Sequence, residues 1–183
     1  MLPFSFFDAA LPYAEFLGTF GGPADRDRWD QRRAAVVPTA EQAQLLKKFT
    51  RVTNVLVLAG AWCGDCAAQC PILERFSEVA PVLRVRYLDR DAHPEAQAEL
   101  KINGGARVPV AVFFSEDGHE VARFGERTLA HYRKLVQSLV PGLPVAADPV
   151  SQQAAVVADW LHEVERTQWV LRLSPRLRSL HSD

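Results

Sequence analysis

Cysteine is scarce in this 183-residue chain and confined to one eight-residue window, as Cys63, Cys66 and Cys70. With none elsewhere, no long-range disulfide framework can staple the fold, and in a reducing compartment so tight a cluster points to catalysis or metal binding. Long hydrophobic runs are missing too: no stretch approaches the roughly twenty apolar residues that span a bilayer. Charge is balanced, with Lys+Arg 21 against Asp+Glu 22 and a net charge of -1. No global field therefore gathers nucleic acid or an anionic membrane, and neither is an expected partner; small proteins or peptides fit better. No glycine-rich phosphate loop is present, which argues against a nucleotide site. Met1 to Phe20 carries no Lys or Arg ahead of its apolar stretch, unlike a secretory signal, so the expected location is the cytoplasm.

What is present is ordinary globular material, 48% apolar and 23% charged, long enough for one buried core. The chain reads as a single domain over 1–183: a helical extension over 1–46, a core over 47–142, and a connector with a C-terminal helix over 143–183. Phe4 to Phe20 is apolar-rich, and Gly21-Gly22-Pro23 breaks it. The alternating Asp25, Arg26, Asp27, Arg28, Asp30 and Arg32 then read as a solvated helix face. Thr39 and Gln42 form a capping pattern, so a helix starts there and carries Leu45, Leu46 and Phe49 inward.

Val55 to Ala59 is a short, continuously apolar run, the pattern of a strand covered on both faces. Helix is expected from Cys63 to about Val79, strand over Leu83 to Leu88, and a short helix over Pro94 to Leu100. A hairpin joins Val110–Phe114 to Val121–Phe124 through Ser115-Glu116-Asp117-Gly118, and a helix follows from about Glu126 to Val140. The expected fold is thus α/β: a central mixed sheet of about four strands, one parallel pair and one antiparallel pair, with helices on both faces. Asp148 and Pro149 look like a cap and first residue of the last helix. Its apolar face steps through Val150, Ala154, Val157, Leu161, Val164 and Leu171, interrupted by Gln168. That face docks on the chain's own core in the first reading and forms a homodimer seam in the second. Pro175 ends the helix, and Arg172, Arg176 and Arg178 read as a solvated end.

The chemistry concentrates in Trp62-Cys63-Gly64-Asp65-Cys66. A strand followed at once by Cys-x-x-Cys and a helix puts Cys63 at the helix N-terminus and Cys66 one turn inside. Free N–H groups and the positive helix end favour a thiolate at Cys63; a thiol pKa lowered to about 7 leaves half of it reactive at neutral pH. Cys66 is expected to stay buried and protonated and to attack second. Cys70 reads as a small buried hydrophobe beneath the site, with a backup thiol for Cys66 as the sharper alternative. The five histidines show no metal spacing with the cysteines: His93 is placed in a loop, His119 and His131 on the surface, His162 and His181 in the tail.

The pentapeptide, together with Pro71 inside the following helix, Val108-Pro109 opening a hairpin strand, the loop Leu88 to Pro94, and Gly125 before the next helix, resembles the thioredoxin family over about residues 47 to 140. The longer N-terminal lead and the Gly-Asp dipeptide look more like a bacterial thioredoxin-like subgroup. The resemblance implies a thioredoxin fold with an N-terminal helical extension and a C-terminal helix. It implies catalysis by Cys63 and Cys66, with Trp62, Gly64, Asp65, Val108 and Pro109 meeting the substrate. Pro109 would be cis and would crowd the dithiol against metals, while Val108 would offer backbone groups to an extended client segment. Two positions depart from the family: Val57 stands where it has a buried acid and Tyr87 where it has a lysine, so either water or another acid such as Glu74 takes the proton of Cys66 or turnover is slower than in thioredoxin. Asp65 replaces the commoner proline and opposes a thiolate at Cys63.

The leading reading is a disulfide reductase near about -270 mV, serving client proteins. Its expected electron donor is an external NADPH-dependent reductase or glutathione, with no cofactor beyond the Cys63–Cys66 disulfide. The alternatives are a non-enzymatic adaptor on the same fold and a Cys63/Cys66/Cys70 metal site completed from elsewhere.

Overall fold

The computed structural model describes residues 2–146 and 150–183. Its sheet is built from β1 (Thr53–Ala59), β2 (Leu83–Asp89), β3 (Val110–Ser115) and β4 (Glu120–Gly125). Their spatial order is β2-β1-β3-β4. β1 runs parallel to β2, while the β1/β3 and β3/β4 pairs are antiparallel. Every residue of β1 is buried, as its unbroken apolar run requires of a central strand covered on both faces. The expected thioredoxin-type α/β architecture is therefore present.

Around the sheet lie α1 (Ser5–Ala9), α2 (Tyr13–Phe20), α3 (Pro23–Ala35), α4 (Ala40–Leu46), α5 (Gly64–Val79), α6 (Pro94–Glu99), α7 (Leu129–Leu139), α8 (Gln152–Leu173) and α9 (Pro175–His181). Among the described residues no helix is long and apolar enough to cross a membrane. The Thr39/Gln42 capping box starts α4 as its spacing predicts. Leu46 and Phe49 are buried, whereas Leu45 is only half-buried.

The extension is more than a lead-in. Phe16, Trp29 and Tyr87 form one aromatic cluster, with ring centroids 5.6–6.2 Å apart, that joins α2 and α3 to β2. Leu11 and Tyr87 exchange backbone hydrogen bonds of 2.9 and 2.7 Å along the outer side of β2.

Several boundaries differ from the sequence reading. α7 begins at Leu129, because Glu126 is turned inward to Arg107 and Tyr132 and cannot open a helix. The proposed cap Asp148-Pro149 lies outside the described residues; α8 starts at Gln152, with Ser151 accepting the N–H of Ala154. Val150 and Ala154 are exposed, so the buried face of α8 is Val156, Val157, Trp160, Leu161, Val164, Gln168 and Leu171. It packs on the chain's own core, Trp160 lying edge-on against Phe124 at 4.8 Å. Gln168 is no flaw in that face: its amide donates to the Arg51 carbonyl and the Thr53 hydroxyl, both at 2.8 Å, and its oxygen accepts from the Arg51 N–H. The tail is held as well, through the ion pairs Arg172–Asp183 and Arg176–Asp117 and the contact of His181 with Glu116.

Replacing Gln168 by Leu strands buried backbone groups of Arg51, each costing about 1–3 kcal/mol. We expect Gln168→Leu to lower the unfolding free energy in urea by about 2–3 kcal/mol, while Arg172→Ala, at an exposed pair, changes it by less than about 1 kcal/mol.

Candidate active site

β1 ends at Ala59, and the tight turn Gly60-Ala61-Trp62 is closed by the Cys63 N–H on the Gly60 carbonyl at 3.0 Å. A Cβ at Gly60 would come within 2.8 Å of the Trp62 ring, so the turn needs glycine to let the indole fold back. The turn is clasped from the extension. The Trp29 indole donates to the Ala61 carbonyl at 2.8 Å, deep in the core, and the Arg28 guanidinium donates to the Trp62 carbonyl at 2.9 Å. Arg28 is thus not simply part of a solvated face, and Trp29 was not singled out from the sequence. The signal was available as one tryptophan inside a run of charge, an apolar side chain that must be buried somewhere.

Trp62 itself is half exposed beside the sulfur. The Arg90 guanidinium lies 4.7 Å above its ring, and its Nε1 donates to Asp91 at 3.3 Å. Asp89 fixes this loop by accepting the N–H groups of Asp91 and Ala92, both at 2.9 Å.

Cys63 is the N-cap of α5, its sulfur accepting the Cys66 N–H at 3.5 Å. It is partly exposed, whereas Cys66 and Cys70 are buried, and all three are free thiols. The Cys63 thiol also faces the Val108 carbonyl at 3.9 Å. Val108 and Pro109 are buried and joined by a cis peptide bond. Gly125 lies directly against them: at φ +146° a Cβ there would fall 2.3 Å from the Pro109 carbonyl oxygen. The structure thus gathers Trp62, Cys63, Cys66, Val108 and Pro109. Gly64 is exposed with open space around its Cα, and Asp65 is part-exposed on the first turn.

The electrostatics bear on four points of the sequence reading. First, the Asp65 carboxylate is bound by Arg127 at 2.6 Å, so its charge is compensated before it can act fully on Cys63. Second, Glu74 sits with Arg33, Glu78, Tyr13 and Tyr87, and burial raises its pKa. Cys66 is governed chiefly by its own burial, with Cys63, Cys70 and the Gly60 backbone also acting on it. Third, Val57 is an apolar core residue and the Tyr87 hydroxyl donates to the Cys70 carbonyl at 3.2 Å, so neither substitutes for the absent acid and lysine.

Fourth, the reduced pair holds its protons more firmly than a helix start alone implies. Hydrogen bonding to Cys66 and then burial push the Cys63 thiol up, against the downward pull of the Cys66 and Asp65 backbone N–H groups. Burial, first of all, pushes Cys66 up as well. Two facing sulfurs titrate as a unit, and the second must ionise beside the first thiolate.

Beyond the dithiol lies a network absent from the sequence reading. Buried Glu126 accepts from Arg107 at 2.7 Å and from the Tyr132 hydroxyl at 3.0 Å. The Gln69 amide donates to the Glu126 carbonyl at 2.9 Å and accepts the Trp160 indole N–H at 3.2 Å. It ties α5, α8 and the end of the hairpin together. His131, expected on the surface, is half-buried beside Thr128, where burial lowers its pKa. Among the described residues no three His, Cys, Asp or Glu side chains are placed to hold a metal ion.

A four-stranded sheet in this order, with Cys-x-x-Cys opening the helix after its central strand, has the design of a thioredoxin-fold protein. The family model described as thioredoxin matches residues 13–139, more than half of the chain, and the chain belongs to that family. Among solved structures, a protein of unknown function from Pseudomonas aeruginosa is similar over 91% of this chain and 97% of its own, at 17% identity and a TM-score of 0.70. An HIV epitope scaffold is similar over 90% of this chain and 92% of its own, at 17% identity and a TM-score of 0.60. Both share the fold across the extensions as well as the sheet. Fasciola hepatica thioredoxin aligns with 54% of this chain and 91% of its own, at 25% identity and a TM-score of 0.37. No curated protein matches the chain in sequence.

Two measurements check the electrostatics. Because the folded thiols titrate above the unfolded value of about 8.5, their contribution to stability is complete below that pH and is lost above it. The urea midpoint of the reduced protein should hold to about pH 8.5 and then fall, by up to about 1.4 kcal/mol per pH unit for each thiol, while the Cys63→Ala/Cys66→Ala variant falls less steeply. Arg127→Gln should free the Asp65 charge and slow alkylation of Cys63 at pH 7 by about threefold, half a pKa unit, and Asp65→Asn added to it should restore the rate.

Proposed function

We propose that this protein is a thiol-disulfide oxidoreductase that reduces disulfides in client proteins by dithiol exchange through Cys63 and Cys66. The observation that carries this reading is the placement of the two sulfurs: one half-exposed at the mouth of α5 against the Val108 carbonyl, the other buried one turn deeper. The Cys63 thiolate attacks one sulfur of the client disulfide, forming a mixed disulfide and expelling the other client sulfur as a thiolate. Cys66 then attacks the Cys63 sulfur and closes the Cys63–Cys66 disulfide, releasing the second client sulfur. Two electrons pass to the client, and the protons of the two cysteines end on its thiols. With Val57 apolar, the proton of Cys66 leaves through the departing client sulfur, water or a nearby acid such as Glu74. An external NADPH-dependent reductase or glutathione returns the two electrons.

An extended client segment would lie along Val108 and Pro109, bounded by Trp62 on one side and by Gly64 and Asp65 on the other. The proposed setting is the cytoplasm, where a reducing potential near about -270 mV suits this direction of flow. The absent buried acid favours a second reading, a non-enzymatic adaptor that uses the same groove for binding alone.

Reduction of insulin disulfides with dithiothreitol as donor separates the two. Cys63→Ser should abolish turnover, and Cys66→Ser should accumulate a client joined through Cys63 that is released by reductant. Equal activity of wild type and Cys63→Ser would establish the adaptor instead. A redox titration above about -150 mV would overturn the reducing assignment.

A further inference from the structure

The two extensions flank a cavity, open to solvent on the side of Arg32 and Gln153, that the dithiol does not use. It measures about 220 Å³ and lies on the flank of α5, between the C-terminal end of α3 and the first turn of α8. Its apolar wall is Val36, Ala68, Ile72 and Val156. Gln153, which donates to the Ala35 carbonyl at 3.2 Å, borders one end.

The polar lining offers several donors. The Gln152 Nε2 is buried without a hydrogen-bond partner, a state that costs about 1–3 kcal/mol when nothing fills it. Arg32 also lines the cavity and makes no ion pair among the described residues, in contrast to Arg28 and Arg33 on the same helix. His131 contributes its ring, with Nδ1 3.4 Å from the Thr128 hydroxyl; in the tautomer in which Nδ1 accepts, Nε2 is a third donor. Gln152 and Gln153 open α8, where backbone N–H groups have no intrahelical partner. No carboxylate is among the described residues that line the space. A guanidinium, a buried amide donor and an imidazole around an apolar wall match an anionic head on a compact hydrocarbon body. An apolar cavity of about 150 Å³ takes benzene, so this one has room for a ring with one carboxylate.

We propose that this cavity binds a small monocarboxylic acid with an aromatic or branched apolar body, its carboxylate held by Arg32 and Gln152 and its body against Ile72 and Val156. The site is separate from the dithiol and does not depend on its chemistry.

Titration of the full-length, isotope-labelled protein with benzoate, followed by NMR, tests this. We expect saturable shifts at the amides of Ala68, Gln152 and Gln153. Benzamide, which has the same body without the charge, should bind at least about tenfold more weakly, and Arg32→Gln should weaken benzoate by a similar factor, the worth of one charge-assisted hydrogen bond. Arg26→Gln, on the same helix but away from the cavity, should leave the affinity unchanged. Saturable shifts confined to other parts of the fold, no saturation at all, equal binding of benzamide, or an unaltered affinity in Arg32→Gln would each overturn the proposal.

Discussion

The Ala61 carbonyl is the constraint on which the site rests. It is the last turn of chain before the reactive pair, and the indole N–H of Trp29 meets it inside the core. A buried carbonyl left without a donor is costly, so this bond makes the extension and the active-site turn one cooperative unit. With the turn fixed, Cys63 becomes the cap of α5, Cys66 is carried beneath it, and the Trp62 ring is left at the rim. Arg28 reinforces the clasp from the next position along α3, binding the neighbouring carbonyl.

The opposite flank of α5 is secured in another way. Gln69 uses both ends of its amide, one on the Trp160 indole and the other on the Glu126 carbonyl. The two extensions therefore brace the same helix from different directions, and the similarity to the Pseudomonas aeruginosa structure extends over nearly the whole of both chains.

Much of this was legible in the sequence because it is written in local pattern. An unbroken apolar run marks β1, turn chemistry marks the hairpin, and the spacing of Cys63 and Cys66 at a strand-to-helix junction marks the reactive pair. Residues whose role depends on a distant partner were not legible. Gln168 looks like a break in an apolar stripe until the backbone of Arg51, far away in sequence, is brought against it. Glu126 looks like the first residue of a helix until Arg107 and Tyr132 draw it inward. Asp65 looks like an opposing charge until Arg127 arrives from beyond the hairpin. The proton affinity of the dithiol likewise depends on burial and on sulfur facing sulfur, neither of which a motif encodes.

The bond pair between Leu11 and Tyr87 has a bearing on how the molecule meets its own kind. That single bridge fills the outer margin of β2 at Tyr87 with the chain's own backbone, so a foreign strand adding along β2 would first have to displace the N-terminal segment.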